Sequence, residues 1–106
     1  MKSASTPSAV NDRTETQAIR SVFGTVADDL CVSSTKAMHG HLIGGTGAVE
    51  LLACIMAVRD GVIAPTIGLA QPDPVCDLDY VANTARRADV SVAMSNAFAF
   101  GGLNAV

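Results

Sequence analysis

Ser33-Ser34-Thr35-Lys36-Ala37-Met38-His39-Gly40-His41-Leu42-Ile43-Gly44-Gly45-Thr46-Gly47-Ala48-Val49-Glu50 is the stretch to read first. It runs from the end of a short strand, through a glycine-rich loop, into a helix whose residues are nearly all apolar. The loop holds Lys36 and both histidines of the chain, and four glycines (Gly40, Gly44, Gly45, Gly47) fall within eight residues. Glycine lets backbone approach backbone or ligand where a Cβ would collide. Lysine and histidine in such a loop, between two apolar elements, mark a site more than a spacer, because chemistry concentrates on loops held by a rigid frame.

Working outward, residues 1–11 are small and polar and include Pro7, a pattern of loop or frayed end. Asp12 then reads as an N-cap, and Glu15 three residues on completes a capping-box pattern. Ala18, Ile19, Val22 and Phe23 form an apolar stripe at helical spacing, with Arg13, Glu15 and Arg20 on the wet side and Gly24 as C-terminal cap. Asp28 and Asp29 belong to a turn, and residues 30–34 read as a strand entering the central loop. Beyond the loop, residues 48–59 are apolar on every face, which predicts a buried core helix. Glu50 and Arg59 suit its dipole, Gly61 ends it and Pro65 prevents a restart. Cys54 reads as a small packed hydrophobe. Residues 63–69 should be extended. Residues 70–79 carry Pro72, Pro74 and three aspartates, read as a solvated surface loop in preference to a cation site. Val90, Val92 and Met94 alternate as in a strand. Phe98-Ala99-Phe100-Gly101-Gly102 is a tight turn carrying aromatics, and residues 103–106 begin a return strand.

The bulk numbers bound the function. The chain has 106 residues, is 49% hydrophobic and only 16% charged. An ordinary soluble domain carries roughly 25% charged residues, and a small domain has proportionally more surface to cover. The imbalance suits a piece of a larger, well-buried protein. A net charge of −3 offers no electrostatic footprint for nucleic acid, no run approaches a membrane span, and no signal-peptide pattern opens the chain. Three scattered cysteines (Cys31, Cys54, Cys76) argue against a disulfide framework and for a reducing, cytoplasmic setting. A zinc site from Cys31, His39 and His41 would need a ligand spacing unlike the known structural patterns.

Three motifs in order resemble the β-ketoacyl-acyl-carrier-protein synthases, the elongating condensing enzymes of the thiolase-like superfamily, including nodulation-type relatives. They are Ser-Ser-Thr-Lys-x-x-x-Gly-His-x-x-Gly-x-x-Gly from Ser33 to Gly47, Ser-Asn-Ala-Phe-Ala-Phe-Gly-Gly-Leu-Asn-Ala from Ser95 to Ala105, and Ser-Thr-Pro followed by Asn-Asp-Arg-Thr-Glu-Thr between Ser5 and Thr16. The resemblance implies an acyltransferase of fatty acid or polyketide synthesis that performs a decarboxylative Claisen condensation. It implies no cofactor, the substrates riding on the phosphopantetheine of acyl carrier protein, and a homodimeric family. By motif, His41 is a catalytic histidine donating to the malonyl thioester oxygen and Lys36 the lysine supporting it. His39 falls where the family varies and reads as structural. Phe100 matches the gatekeeper phenylalanine, with its N–H half of an oxyanion hole, on a gate loop of Phe98, Gly101 and Gly102. Thr6 matches a pantetheine-binding threonine.

Departures qualify the resemblance. Lys2 falls where the family has its other catalytic histidine, and Ala4 where it has a second pantetheine threonine. Ala99 stands for a common glycine and Leu103 for a polar residue. The nucleophilic cysteine belongs to the family's N-terminal half, and no cysteine here has its surroundings. The implied fold is α/β: the partial C-terminal half of a thiolase-like fold, a mixed sheet with packed helices. The first two strands of that half are expected to precede residue 1, so the strands retained would not be neighbours. The whole chain, 1–106, then reads as one truncated C-terminal domain whose partner is the N-terminal half of the synthase. Two other readings stay open: a non-catalytic truncated product, and a glycine-loop phosphate or nucleotide module, for which Gly44-Gly45-Thr46-Gly47 lacks the full spacing.

Overall fold

A strip of parallel sheet and two fifteen-residue helices frame the central loop. The computed structural model describes residues 2–3 and 9–106. Strand β1 (Lys2–Ser3) precedes helix α1 (Ala9–Phe23), which runs into a 3-10 turn over Gly24–Asp29. Strand β2 (Val32–Ser33) leads to the one-turn helix α2 (Lys36–His39), a 3-10 turn at Ile43–Gly45 and helix α3 (Thr46–Asp60). Strands β3 (Val62–Ile63), β4 (Arg86–Arg87), β5 (Met94–Ser95), β6 (Ala97–Ala99) and β7 (Leu103–Ala105) follow.

The strands form a three-stranded sheet in the order β2-β1-β5 and two antiparallel pairs, β3 with β4 and β6 with β7. In the first sheet Lys2 lies opposite both Val32 and Met94, and both pairings are parallel. Strands β2 and β5 are not neighbours, as the resemblance implied, but the gap between them is occupied by β1. Because β1 offers only two residues for pairing, its partners are equally short. Residues 30–34 and 90–94, each expected as a full strand, pair in this sheet only where β1 can reach them, at Val32–Ser33 and Met94–Ser95.

Helix α1 begins at Ala9, so Asp12 lies inside its first turn and does not cap it. Its buried residues are Glu15, Thr16 and Ile19, which corrects the expected wet side for Glu15. The Thr16 hydroxyl donates to the Asp12 carbonyl at 2.7 Å and takes the Tyr80 hydroxyl as its donor. Ile19 packs with Ala27, Val32 and Leu78, and Leu30 and Tyr80 close over them. Burial pushes the Tyr80 phenol up to about 12, with the Thr16 hydrogen bond working against that shift. Val22 and Phe23, expected in the core, instead line an open groove of about 520 Å³ together with Met94, Asn96 and Phe98.

The acidic loop is held by arginines. Arg13 reaches Asp73 at 2.8 Å, and Arg20 reaches both Asp77 at 2.8 Å and Asp28 at 2.9 Å. Arg86 engages Asp79 with two nitrogens. All three loop aspartates therefore have cationic partners.

Helix α3 departs most from expectation. It buries Thr46, Glu50, Cys54 and Ala57, a narrow stripe of small and polar residues at helical spacing. Leu51, Leu52, Ile55, Met56 and Val58 point outward, each about half exposed. The sheet strip beside α3 is narrow, so it covers one stripe and leaves the rest of the helix uncovered. Gly61 closes α3 in the left-handed region (φ 63°), its N–H bonding the Ala57 carbonyl at 3.0 Å. A Cβ there would also crowd the Ala88 carbonyl oxygen at 3.1 Å, so both the backbone and the space favour glycine at this cap.

Candidate active site

Lys36 opens α2 directly after β2, and its side chain runs inward to Glu50 on α3. Side-chain exposure is 10% for Lys36 and 1% for Glu50. A carboxylate this deeply buried is viable only when paired and hydrogen-bonded. The Ser95 hydroxyl, at the end of β5, donates to the other Glu50 oxygen at 3.4 Å. Three separate segments thus meet at Glu50: the glycine-rich loop, the core-facing stripe of α3 and the strand that leads to the aromatic hairpin. Next to Ser95, Asn96 is nine-tenths buried and its Oδ1 has no hydrogen-bond partner among the described residues.

His41 lies on the same loop, five residues beyond Lys36, and its ring is exposed. The Ile43 N–H donates to its Nδ1 at 2.9 Å. A backbone N–H can only donate, so Nδ1 accepts and the neutral ring carries its proton on Nε2. Thr46 supports the arrangement: its Oγ1 accepts the Leu42 N–H at 2.8 Å and lies 3.1 Å from the same Nδ1. Ile43 reaches this geometry at φ 52°, a left-handed backbone that a β-branched residue adopts only under strain. That strain sits where the backbone aims a donor at His41. His39 turns the other way, toward Thr35 and Gly40.

The hairpin of β6 and β7 leaves from Ser95 and Asn96. Phe98 lines the groove against α1, and Phe100 stands fully in solvent at the turn. Gly101 and Gly102 both take positive φ, 89° and 79°, so this turn depends on them. The structure therefore joins Lys36 to Glu50 and Ser95, holds His41 on the same loop, and carries the two phenylalanines on the adjoining hairpin. Thr6 and Ala4 lie outside the described residues.

Sequence reasoning missed Glu50 as a site residue, reading it as a helix-dipole partner. The available signal was its isolation: it is a lone charge within the otherwise apolar run 48–58, and charged residues are almost never fully buried unless paired. Ser95 and Asn96 were quoted as motif residues without a role.

The cysteines stand apart from this chemistry. Cys31 donates to Asp79 at 3.7 Å and receives Arg86 at 3.5 Å. Cys54 is buried on α3, and burial pushes its thiol up, with the Glu50 charge adding in the same direction. A thiol so shifted is a poor nucleophile. Cys76 belongs to the acidic loop. Among the described residues no group of three or more His, Cys, Asp or Glu is placed to hold a metal ion, and no helix is long and apolar enough to cross a membrane.

Known proteins share both the sequence and the shape. Nodulation protein E of Rhizobium sp. (strain N33) is 52% identical over 101 residues, covering 95% of this chain and 25% of that protein. The 3-oxoacyl-[acyl-carrier-protein] synthase 2 of Synechocystis sp. (strain ATCC 27184 / PCC 6803 / Kazusa) is 52% identical over 99 residues, 93% of this chain and 24% of the relative. A solved structure of a type II PKS acyl-carrier protein in complex with its ketosynthase bound to the hexaketide superposes with a TM-score of 0.91 at 33% identity, over 97% of this chain and 26% of that one. The ishigamide ketosynthase/chain length factor superposes at 0.89 with 39% identity. The chain thus spans about a quarter of the length of these relatives. The model of the β-ketoacyl synthase C-terminal domain matches residues 1–70, and with the shared sequence and fold this places the chain in the β-ketoacyl synthase family, as part of its C-terminal domain.

Proposed function

We propose that the chain supplies the Lys36 and His41 side of a condensing active site. There a malonyl thioester loses carbon dioxide, and the enolate left behind attacks an enzyme-bound acyl thioester. The new carbon–carbon bond forms as the cysteine thiolate leaves. The tautomer of His41 carries this reading. The developing enolate oxygen needs preorganised N–H donors. A ring whose Nδ1 is occupied by the Ile43 N–H offers Nε2–H without any prior proton transfer. Lys36, on the same loop and held by Glu50, would supply the supporting positive charge. The Phe100 N–H would serve the acyl thioester oxygen, with the hairpin as gate and Thr6 on the pantetheine arm. Acyl carrier protein as substrate carrier is supported by the ketosynthase complex of similar fold.

The nucleophilic cysteine would come from the remainder of a synthase, whereas the second histidine is replaced within this chain. Lys2 aligns at the histidine position, and none of the three cysteines stands in a nucleophile's surroundings. The chain alone is therefore expected to be inactive. Incubated with acyl and malonyl carrier-protein thioesters it should give no β-ketoacyl product. Supplied with the complementary portion of the Synechocystis relative and carrying Lys2→His, it should give product, and His41→Ala should then lower the rate by about 10²–10³-fold. Turnover by the chain alone, or an unchanged rate with His41→Ala in the complemented enzyme, would contradict the proposal.

A further inference from the structure

Helix α2 is a single turn of four residues, too short to hold itself in water. Its N-cap, Thr35, is buried, yet its hydroxyl caps no backbone N–H. That oxygen instead lies 2.9 Å from His39 Nε2, at the other end of the turn. The opposite ring nitrogen, Nδ1, lies 2.7 Å from the Gly40 carbonyl oxygen. A carbonyl only accepts, so Nδ1 carries a proton, and in the neutral ring Nε2 accepts from the Thr35 hydroxyl. One imidazole therefore ties the first residue of the turn to the peptide that leaves it.

We propose that His39 is the positioning residue of the active-site loop, clamping the turn that carries Lys36 and orienting the peptide that presents His41. The Gly40 oxygen lies in the same rigid plane as the His41 N–H and Cα. Fixing that oxygen fixes the direction in which His41 departs, at a glycine whose φ of 79° would otherwise leave the direction free. Two histidines two residues apart are thereby locked in opposite tautomers, His39 protonated on Nδ1 and His41 on Nε2. The inference rests on the proposed role of His41, but its test reads ring chemistry and not turnover, so either can fail without the other.

The chain has only two histidines, so selective ¹⁵N-histidine labelling of the full chain gives two ring systems. Magic-angle-spinning spectra read them even in an associated sample. At about pH 8, where imidazole is neutral, His39 should show Nδ1–H and His41 Nε2–H. In His39→Ala the His41 ring should become a tautomer mixture, and amide exchange at Met38 and Gly40 should quicken about tenfold, the scale of one lost hydrogen bond. His39→Asn, which keeps a side-chain N–H for the Gly40 carbonyl, should restore the His41 signature in part. A proton on Nε2 of His39 in the unsubstituted chain would overturn the proposal whether or not the variants fold. An unchanged His41 ring in His39→Ala would overturn it as well.

Discussion

Glu50, at 1% side-chain exposure and paired with Lys36, sets the strongest single-residue expectation. Glu50→Ala removes the carboxylate from a buried ion pair, a change of about 3–5 kcal/mol. Thermal melting should show the loss, and the double variant Lys36→Met, Glu50→Leu should recover most of it. A melt of Glu50→Ala equal to that of the unsubstituted chain would mean the pair is not formed. Tyr80 sets an alkaline limit. Its folded pKa of about 12 lies above the ordinary value of 10, so the folded state holds the proton longer. The associated stability is complete below pH 10 and is lost as pH rises toward 12. Tyr80→Phe should flatten that decline. At this scale the motif residues were legible because their spacing is specific. The partnerships of Glu50, Thr16 and Tyr80 were not, because each joins residues between 14 and 64 positions apart, and no local pattern encodes such a contact.

Helix α1 and the acidic loop form one electrostatic unit. Asp73 lies below the usual carboxylate range because the Val75 N–H and then Arg13 stabilise its charged form. Asp77 does so through Arg20, and Asp79 chiefly through Arg86. Lowered folded pKa values mean stability present above about pH 4 and lost as pH falls through the folded values. The melting temperature should therefore drop on acidification below that point, and less so in Asp77→Asn. An equal acid drop in that variant would show that the Arg20 contact contributes nothing, as surface pairs sometimes do. The elements themselves were read with uneven success. Both long helices, the Gly61 stop and the aromatic hairpin follow from periodicity and turn chemistry. The strands were overextended because their length is set by the two residues of β1, and the stripe of α3 that faces inward is chosen by the sheet beside it, not by hydrophobicity. A helix apolar on every face carries no information about which face its own chain will cover.

At the scale of the whole molecule, uncovered apolar surface dominates. Leu51, Leu52, Ile55, Met56 and Val58 on α3 are each roughly half in water, as are Phe98 and Val75 elsewhere. Each half-exposed large side chain forfeits on the order of 1 kcal/mol of available burial, and a few such terms rival the ~5–15 kcal/mol that holds a whole domain together. Among the described residues β5 pairs with β1 on one side only, which adds a sheet edge. Leu52→Lys with Met56→Glu on the outward face of α3 should therefore raise solubility without raising the melting temperature, and should abolish any complementation by the remainder of a synthase. The claim that this chain is one part of a larger condensing enzyme is tested most directly by sedimentation velocity of the purified, unsubstituted chain alone. It should sediment as a concentration-dependent series of associated species, collapsing to a defined complex when the complementary synthase portion is added. A single 10.8 kDa monomer at every concentration, indifferent to that addition, would contradict it.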